Sequence, residues 1–391
     1  MFFNKKSIDF LAIGDITIDA FIRLENASVH CNLDREGCEL CVAFGQKIPY
    51  RSGKIIYATG NASNAAIAAA RLGLSVAVVT NLGDDKNGKD CLATLNKEKI
   101  STDYANIHKN AATNFNYVLW YEDERTILVR HEPYERVLPI FNKPKWIYLS
   151  SIGANSEKYH QEILKYLENN PDVRLAFQPG TFQFTLGLEK NAPFIHRAEV
   201  FACNREEAKK LLKISEDGAE AVRQLRNLGA KNVIVTAGAS GAYFGFEDGI
   251  FFMPNYPDSR SPIERTGAGD AYTATFVTAL TLGATPSEAA LWAPIRGGPS
   301  TSTSSADSLS AIPWHLWYSS MRAMRSLHGS SLSLTKLRTS GWGRAACRTS
   351  AGRQPTPTRT VILNGSATGS PRSCLCLPRT SCPTGTAIAA T

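Results

Sequence analysis

Arg265-Thr266-Gly267-Ala268-Gly269-Asp270-Ala271-Tyr272 sets a glycine turn and a carboxylate at the start of an apolar segment. The glycines flanking Ala268 permit backbone conformations that a side chain obstructs, so successive N–H groups can point into one concavity. The following Thr273-Ala274-Thr275-Phe276-Val277-Thr278-Ala279-Leu280 reads as a helix closed by Gly283. Its free N–H groups lie at the positive end of the helix dipole, where phosphate is stabilised. A carboxylate beside an anion site repels the anion unless it has a task, such as taking a proton from an attacking hydroxyl. Asp is also a favoured helix cap, so on this stretch alone capping and phosphoryl chemistry fit equally well.

Upstream, short apolar runs recur at Ile8–Ile13, Val76–Thr80, Trp146–Ser150, Val173–Gln178, Glu199–Cys203 and Asn232–Ala237. Helical patterns separate them: Asn61–Leu72, Asn87–Lys97, Glu157–Leu167, Arg205–Leu212 and Gly218–Leu228. This alternation predicts an α/β fold with a largely parallel sheet covered on both faces. Residues 18–58 and 113–131 break the rhythm with strand-like segments and no intervening helix, as expected of a small β lid able to exclude water from a site.

Polar groups follow several of these strands. Gly14-Asp15-Ile16-Thr17-Ile18-Asp19 follows the first, Gly60-Asn61-Ala62-Ser63-Asn64 opens the first long helix, and Asn204-Arg205-Glu206-Glu207 follows the fifth strand. Ligands of open α/β sheets bind at the carboxyl ends of the strands, so these motifs can share one crevice.

Taken together, GNASNAAIAAARLG at 60–73, VVTNLGDDKNG at 78–88, NREEAKKLL at 204–212, VTAGASGAY at 235–243 and TGAGDAY at 266–272 resemble the ribokinase-like (PfkB-type) carbohydrate kinases, over about residues 8–293. The resemblance implies a three-layer α/β/α sandwich with a β lid, using ATP and Mg2+, with a monovalent cation as a further option. Its acceptor would be a small sugar or a nucleoside. It further implies Asp270 as general base and the amides of Gly267, Ala268 and Gly269 as an anion hole. Asp19, Gly60, Asn61 and Asn64 would hold substrate hydroxyls, and Thr266 would join the nucleotide side. Asn204 and Glu207 would place magnesium and phosphate through water, while Thr236, Gly238 and Gly241 form a nucleotide loop. Each has a plainer alternative: Asp19 a surface strand-end acid, Asn61 a helix cap, Glu207 a first-turn acid, and Gly238 with Gly241 a hairpin.

Arg265 departs from the family's small residue at that position, while Glu264 keeps its acid. A phosphosugar acceptor would call for a basic pair near the lid, for which Arg130, His131 and Arg136 are candidates. Cys31, Cys38 and Cys41, beside His30, have ligand types that suit zinc; reduced thiols or a disulfide are the other readings.

Charge divides the chain sharply. Residues 1–295 carry 32 Lys and Arg against 34 Asp and Glu, whereas residues 296–391 carry 11 against a single acid, Asp307. The net charge of +8 therefore belongs to a Ser-, Thr- and Arg-rich tail. That tail reads as a disordered basic arm, a linker, or an out-of-frame translation, the last accounting for most of the change in residue usage. The main domain is assigned to 1–295, and the near-neutral balance there argues against a nucleic-acid-binding surface. No 18-residue apolar run or signal sequence is visible, and the nine cysteines form no secreted framework, so a cytoplasmic protein without a membrane partner, a monomer or homodimer, is expected.

Overall fold

The computed structural model describes residues 7–31, 37–122, 124–215, 218–255 and 267–296. Its frame is a nine-stranded sheet. Seven strands run parallel, in spatial order β7 (Ser101–His108), β6 (Val76–Gly83), β1 (Ile8–Ile13), β10 (Pro144–Leu149), β11 (Arg174–Phe177), β12 (Val200–Asn204) and β13 (Asn232–Thr236). An antiparallel hairpin of β14 (Ala242–Phe246) and β15 (Gly249–Met253) completes one edge. The parallel strands are short apolar runs because both faces of the sheet are covered.

One face packs against α1 (Asn61–Arg71), α2 (Lys86–Lys97), α8 (Ala268–Thr281) and α9 (Pro286–Arg296). The other packs against α3 (Glu157–Asn169), α5 (Gly187–Arg197), α6 (Arg205–Leu212) and α7 (Gly218–Asn227), with α4 (Thr181–Thr185) leading into α5. These layers make the α/β/α sandwich that the alternation predicts. Helix α8 is the exception to amphipathic design: every residue from Asp270 to Ala279 is buried. A helix apolar on all sides belongs inside the molecule, and α8 contacts α1, α9 and β12. The Ala-rich sequence of α1 allows that close approach.

A second sheet, in order β5 (Tyr50–Thr59), β2 (Thr17–Leu24), β8 (Phe115–Tyr121) and β9 (Glu124–Arg130), forms the lid, with a small hairpin of β3 (Ser28–His30) and β4 (Glu39–Cys41) beside it. Both segments expected to be β-rich, 18–58 and 113–131, contribute to it. The chain enters the lid directly from the central sheet, with three residues between β1 and β2. No helix among the described residues is long and apolar enough to cross a membrane. Residues 297–391, including nearly all of the basic tail, lie outside the described residues.

Candidate active site

A cavity of about 910 Å³ opens at the carboxyl ends of the parallel strands, beneath the lid. The switch in strand order between β1 and β10 lies at this edge, as the crevice rule for open α/β sheets requires. Asp19, Gly60, Asn61, Asn64, Asn204, Glu207, Thr236, Gly238, Gly241, Gly267, Ala268, Gly269 and Asp270 all line it, although they span 252 positions. Thr266, with Glu264 and Arg265, lies outside the described residues.

Helix α8 begins at Ala268, five residues earlier than its apolar pattern indicates, with Gly267 as N-cap. Asp270 is therefore in the first turn and is not the cap, so the capping reading of its carboxylate does not hold. Gly267 has φ 77°, in the left-handed region, and a Cβ there would lie 2.7 Å from Asn64 Nδ2. The turn is glycine because both the backbone conformation and the space demand it. Nothing lies within 4 Å of a Cβ position at Gly269, so that side of the turn is open to the cavity.

Asp270 is 5 % exposed, and both its oxygens are engaged. Asn64 Nδ2 donates to Oδ2 at 2.9 Å and Gln178 Nε2 donates to Oδ1 at 2.7 Å. Burial raises its affinity for a proton, while the amide groups of Asn64, Gln178 and Asn61 oppose that; burial prevails and the carboxyl sits above the ordinary Asp range. A buried carboxylate with raised proton affinity results, a property that suits proton transfer. Gln178 was invisible in the sequence: a glutamine directly after an apolar strand carries no motif, and its position at a strand end was the available signal.

Asp19 is 6 % exposed on lid strand β2, where Asn116 Nδ2 donates to Oδ1 at 3.0 Å, so it is not a surface acid. Asn61 is the first residue of α1 and Gly60 its N-cap, so Asn61 does not cap its helix. Asn204 and Glu207 behave differently. They form a reciprocal capping box, Glu207 N–H to Asn204 Oδ1 and Asn204 N–H to Glu207 Oε2, both at 2.8 Å. Burial, with a smaller contribution from the Asp270 charge, pushes the Glu207 carboxyl up. Gly238 opens a 3-10 turn, Gly238–Ser240, between β13 and β14, and Gly241 closes it, so the hairpin reading holds alongside the cavity position.

At the lid end, Arg136 does not face the cavity as half of a free basic pair. Its Nη2 donates to Asp15 Oδ2 at 2.7 Å, with both side chains 2 % exposed. Arg130 is on the surface, paired with Glu132 at 2.7 Å. Of the three basic candidates only His131 lines the cavity, joined by Arg125 of β9, which sequence reading passed over.

The cysteine cluster also requires correction. Cys31 and Cys38 form a disulfide, and Cys41 remains a free thiol. The β3–β4 register explains the pairing: His30 faces Glu39, so residues 31 and 38 are the next to meet. With two of its three thiols joined, the proposed zinc site is lost, and among the described residues no group of three or more His, Cys, Asp and Glu is arranged to hold a metal ion. Glu206 and Glu207 present carboxylate oxygens at the cavity wall. That sparse donor set suits a hard cation which keeps most of its water and takes its other ligands from phosphate oxygens. Residues that could supply a monovalent-cation loop after α9 lie outside those described.

Residues 31–297 match the family model described as pfkB family carbohydrate kinase, and the chain belongs to that family. It is 26 % identical to the ribokinase of Bacillus subtilis over 233 residues, covering 57 % of this chain and 74 % of that one. The Arabidopsis thaliana ribokinase complexed with ribose and ATP superposes with a TM-score of 0.61 at 18 % identity, over 75 % of this chain and 92 % of that one. A nucleoside kinase of Methanocaldococcus jannaschii superposes with a TM-score of 0.58 at 18 % identity, over 75 % and 91 %. The fold is thus that of the ribokinases, and the chain is a member of the pfkB carbohydrate kinase family.

Proposed function

We propose that this chain transfers the γ-phosphoryl group of ATP to a hydroxyl of a small sugar or sugar derivative, with Asp270 as general base. The observation that carries this reading is the buried Asp270 carboxylate, held by two amide donors at the cavity and in the same first turn as Gly267, Ala268 and Gly269, which also line it. The acceptor is oriented by Asp19, Asn61 and the Gly60 turn, whose carboxylate and amide groups can each bind a hydroxyl. Asn64 supports Asp270 directly.

As the acceptor oxygen attacks phosphorus, its proton passes to Asp270, the new O–P bond forms and the bond to the ADP oxygen breaks. Negative charge accumulating on the transferring group meets the N-terminus of α8, where fixed N–H groups stabilise it without reorganisation. The nucleotide occupies the wall made by Thr236, the Gly238–Gly241 turn, Asn255 and Pro294. Bound magnesium would neutralise phosphate charge, and Glu207 would orient its water. The lid excludes bulk water from the transfer.

ATP-dependent phosphorylation assayed across a panel of sugars and nucleosides, with magnesium and the intact protein, tests the reading. Asp270→Asn is expected to lower kcat by a factor of at least about 10², the usual range for losing a general base. Full activity in that variant would refute the mechanism; turnover of nucleosides alone would change the acceptor class, and no turnover with any acceptor would leave a kinase-like binding protein.

A further inference from the structure

Behind Asp270 a buried polar chain continues into the sheet. Tyr148, on β10, is fully buried, and its hydroxyl donates to Gln178 Oε1 at 2.5 Å. Gln178 in turn donates Nε2–H to Asp270 Oδ1. Three features hold this chain in place. Tyr148 stacks on Phe10, with ring centroids 5.3 Å apart. Gln178 is fixed at the strand end by its backbone N–H to Leu149 O at 2.9 Å. Tyr148 pairs with Ala176 in the ladder, and two residues beyond Ala176 the chain reaches Gln178, so all three side chains lie on the α8 face and the small Ala176 leaves the gap that the other two bridge.

The direction of the chain follows from the chemistry of its ends. An ionised carboxylate only accepts, so the amide must present its nitrogen to Asp270. Its oxygen then faces Tyr148, which must donate. Burial, reinforced by the Asp270 charge, keeps that phenol protonated.

We propose that Gln178 and Tyr148 are a positioning pair for the base: the Tyr148 hydroxyl selects which end of the Gln178 amide faces Asp270, and that amide fixes the plane of the carboxylate. Neither residue touches the acceptor in this arrangement; both act through Asp270. The inference rests on Asp270 being the base. Without Tyr148 the amide is free to turn its oxygen toward the carboxylate, which favours the protonated acid. Without the Gln178 donor, Asp270 loses one of the hydrogen bonds that favour its charged form.

Other groups share this electrostatic environment. Glu206 and Glu207 come from α6, the Cys203 thiol from β12, Asp19 from the lid, and Arg125 and His131 from the lid end of the cavity. They are constant across the variants below, so a change in titration between variants reports the positioning pair.

The test uses the full-length protein and the variants Gln178→Leu, Gln178→Glu and Tyr148→Phe. The first readout is the pH dependence of kcat/KM, together with separate kcat and acceptor KM values. For Gln178→Leu and Tyr148→Phe, the acid limb is expected to move to higher pH by about one unit, so that the rate falls about tenfold at pH values below the limb and recovers above it, with KM nearly unchanged. Gln178→Glu, which sets a second carboxylate against the first, is expected to move the limb furthest. The second readout, the Asp270 carboxyl titration by 13C NMR, assigned against Asp270→Asn, requires no acceptor. An upward shift there supports the positioning pair even if the acceptor panel is silent. An unshifted titration in folded Tyr148→Phe and Gln178→Leu overturns it, as does a loss confined to acceptor KM. Full activity of Asp270→Asn would instead refute the base assignment itself.

Discussion

Asp15 and Asp270 are both buried aspartates on one cavity, and their surroundings send them in opposite directions. Burial alone would raise Asp15 as it raises Asp270, but His131, the Arg136 guanidinium and the Gly153 N–H outweigh it, and the Asp15 carboxyl is held below the ordinary range. Asp270 has amide donors only, and burial wins. The first is therefore held as an ion, while the second has a raised proton affinity, as the proposed base requires. Removing the Arg136 charge with Arg136→Met leaves Asp15 buried without its guanidinium partner, which is expected to cost about 3–5 kcal/mol of stability at neutral pH. Because the folded-state pKa of Asp15 is depressed, its contribution is present above the unfolded value near 4 and disappears as pH falls through the lower folded value. Urea unfolding of wild type and Arg136→Met at pH 7 and near pH 2 should show a difference that narrows in acid; equal differences at both would remove Asp15 from the account.

At the scale of elements, the turn into α8 carries the tightest constraint. Gly267→Ala must hold a non-glycine residue at φ 77° and force its Cβ against the Asn64 amide, which itself holds Asp270. The left-handed conformation alone costs about 1–2 kcal/mol. We expect a loss of that order in chemical denaturation, accompanied by lower kcat because the base loses a partner; wild-type kcat in this variant would mean that Asn64 does not support the base. Elements with strong periodicity were legible in the sequence, as with α1, α3 and the parallel strands. Others were not. Strand β7 alternates weakly, α5 carries Pro193 inside it, and the β14–β15 hairpin is short. The lid was legible as β-structure, but its parallel pairing of β2 with β8 joins residues about 97 positions apart, and no local pattern encodes such a partner. A disulfide is one of three readings of the cysteines, but its pairing of Cys31 with Cys38 depends on hairpin register, which no local pattern encodes. In the site, residues on glycine turns and helix starts announced themselves, whereas Gln178 and Tyr148 sit in or beside apolar runs where a polar group looks incidental.

For the molecule as a whole, the change in charge and the end of the family match fall at nearly the same place. The family match ends at residue 297, and the basic excess begins at 296. The first 295 residues are close to neutral, so non-specific affinity for nucleic acid is expected of the remainder. Retention of the full-length protein on a DNA column is expected to fall with salt and to vanish when residues 298–391 are removed. Retention that survives truncation would locate a basic surface within the kinase domain.

The lid has its own sheet, hydrogen-bonded separately from the nine-stranded one, yet it supplies Asp19, Asn116, Arg125 and Ile127 to the cavity. The phosphoryl-transfer turn and the nucleotide wall belong instead to the central framework. On the proposed reading, acceptor recognition is shared between Asp19 of the lid and Asn61 at the start of α1, while transfer chemistry stays with the framework. Changes in the lid side chains Asn116, Arg125 and Ile127 would, on that reading, alter which alcohol is accepted while Asp270 and its amide partners stay as they are, which makes the lid the first place to diversify when a new acceptor is sought.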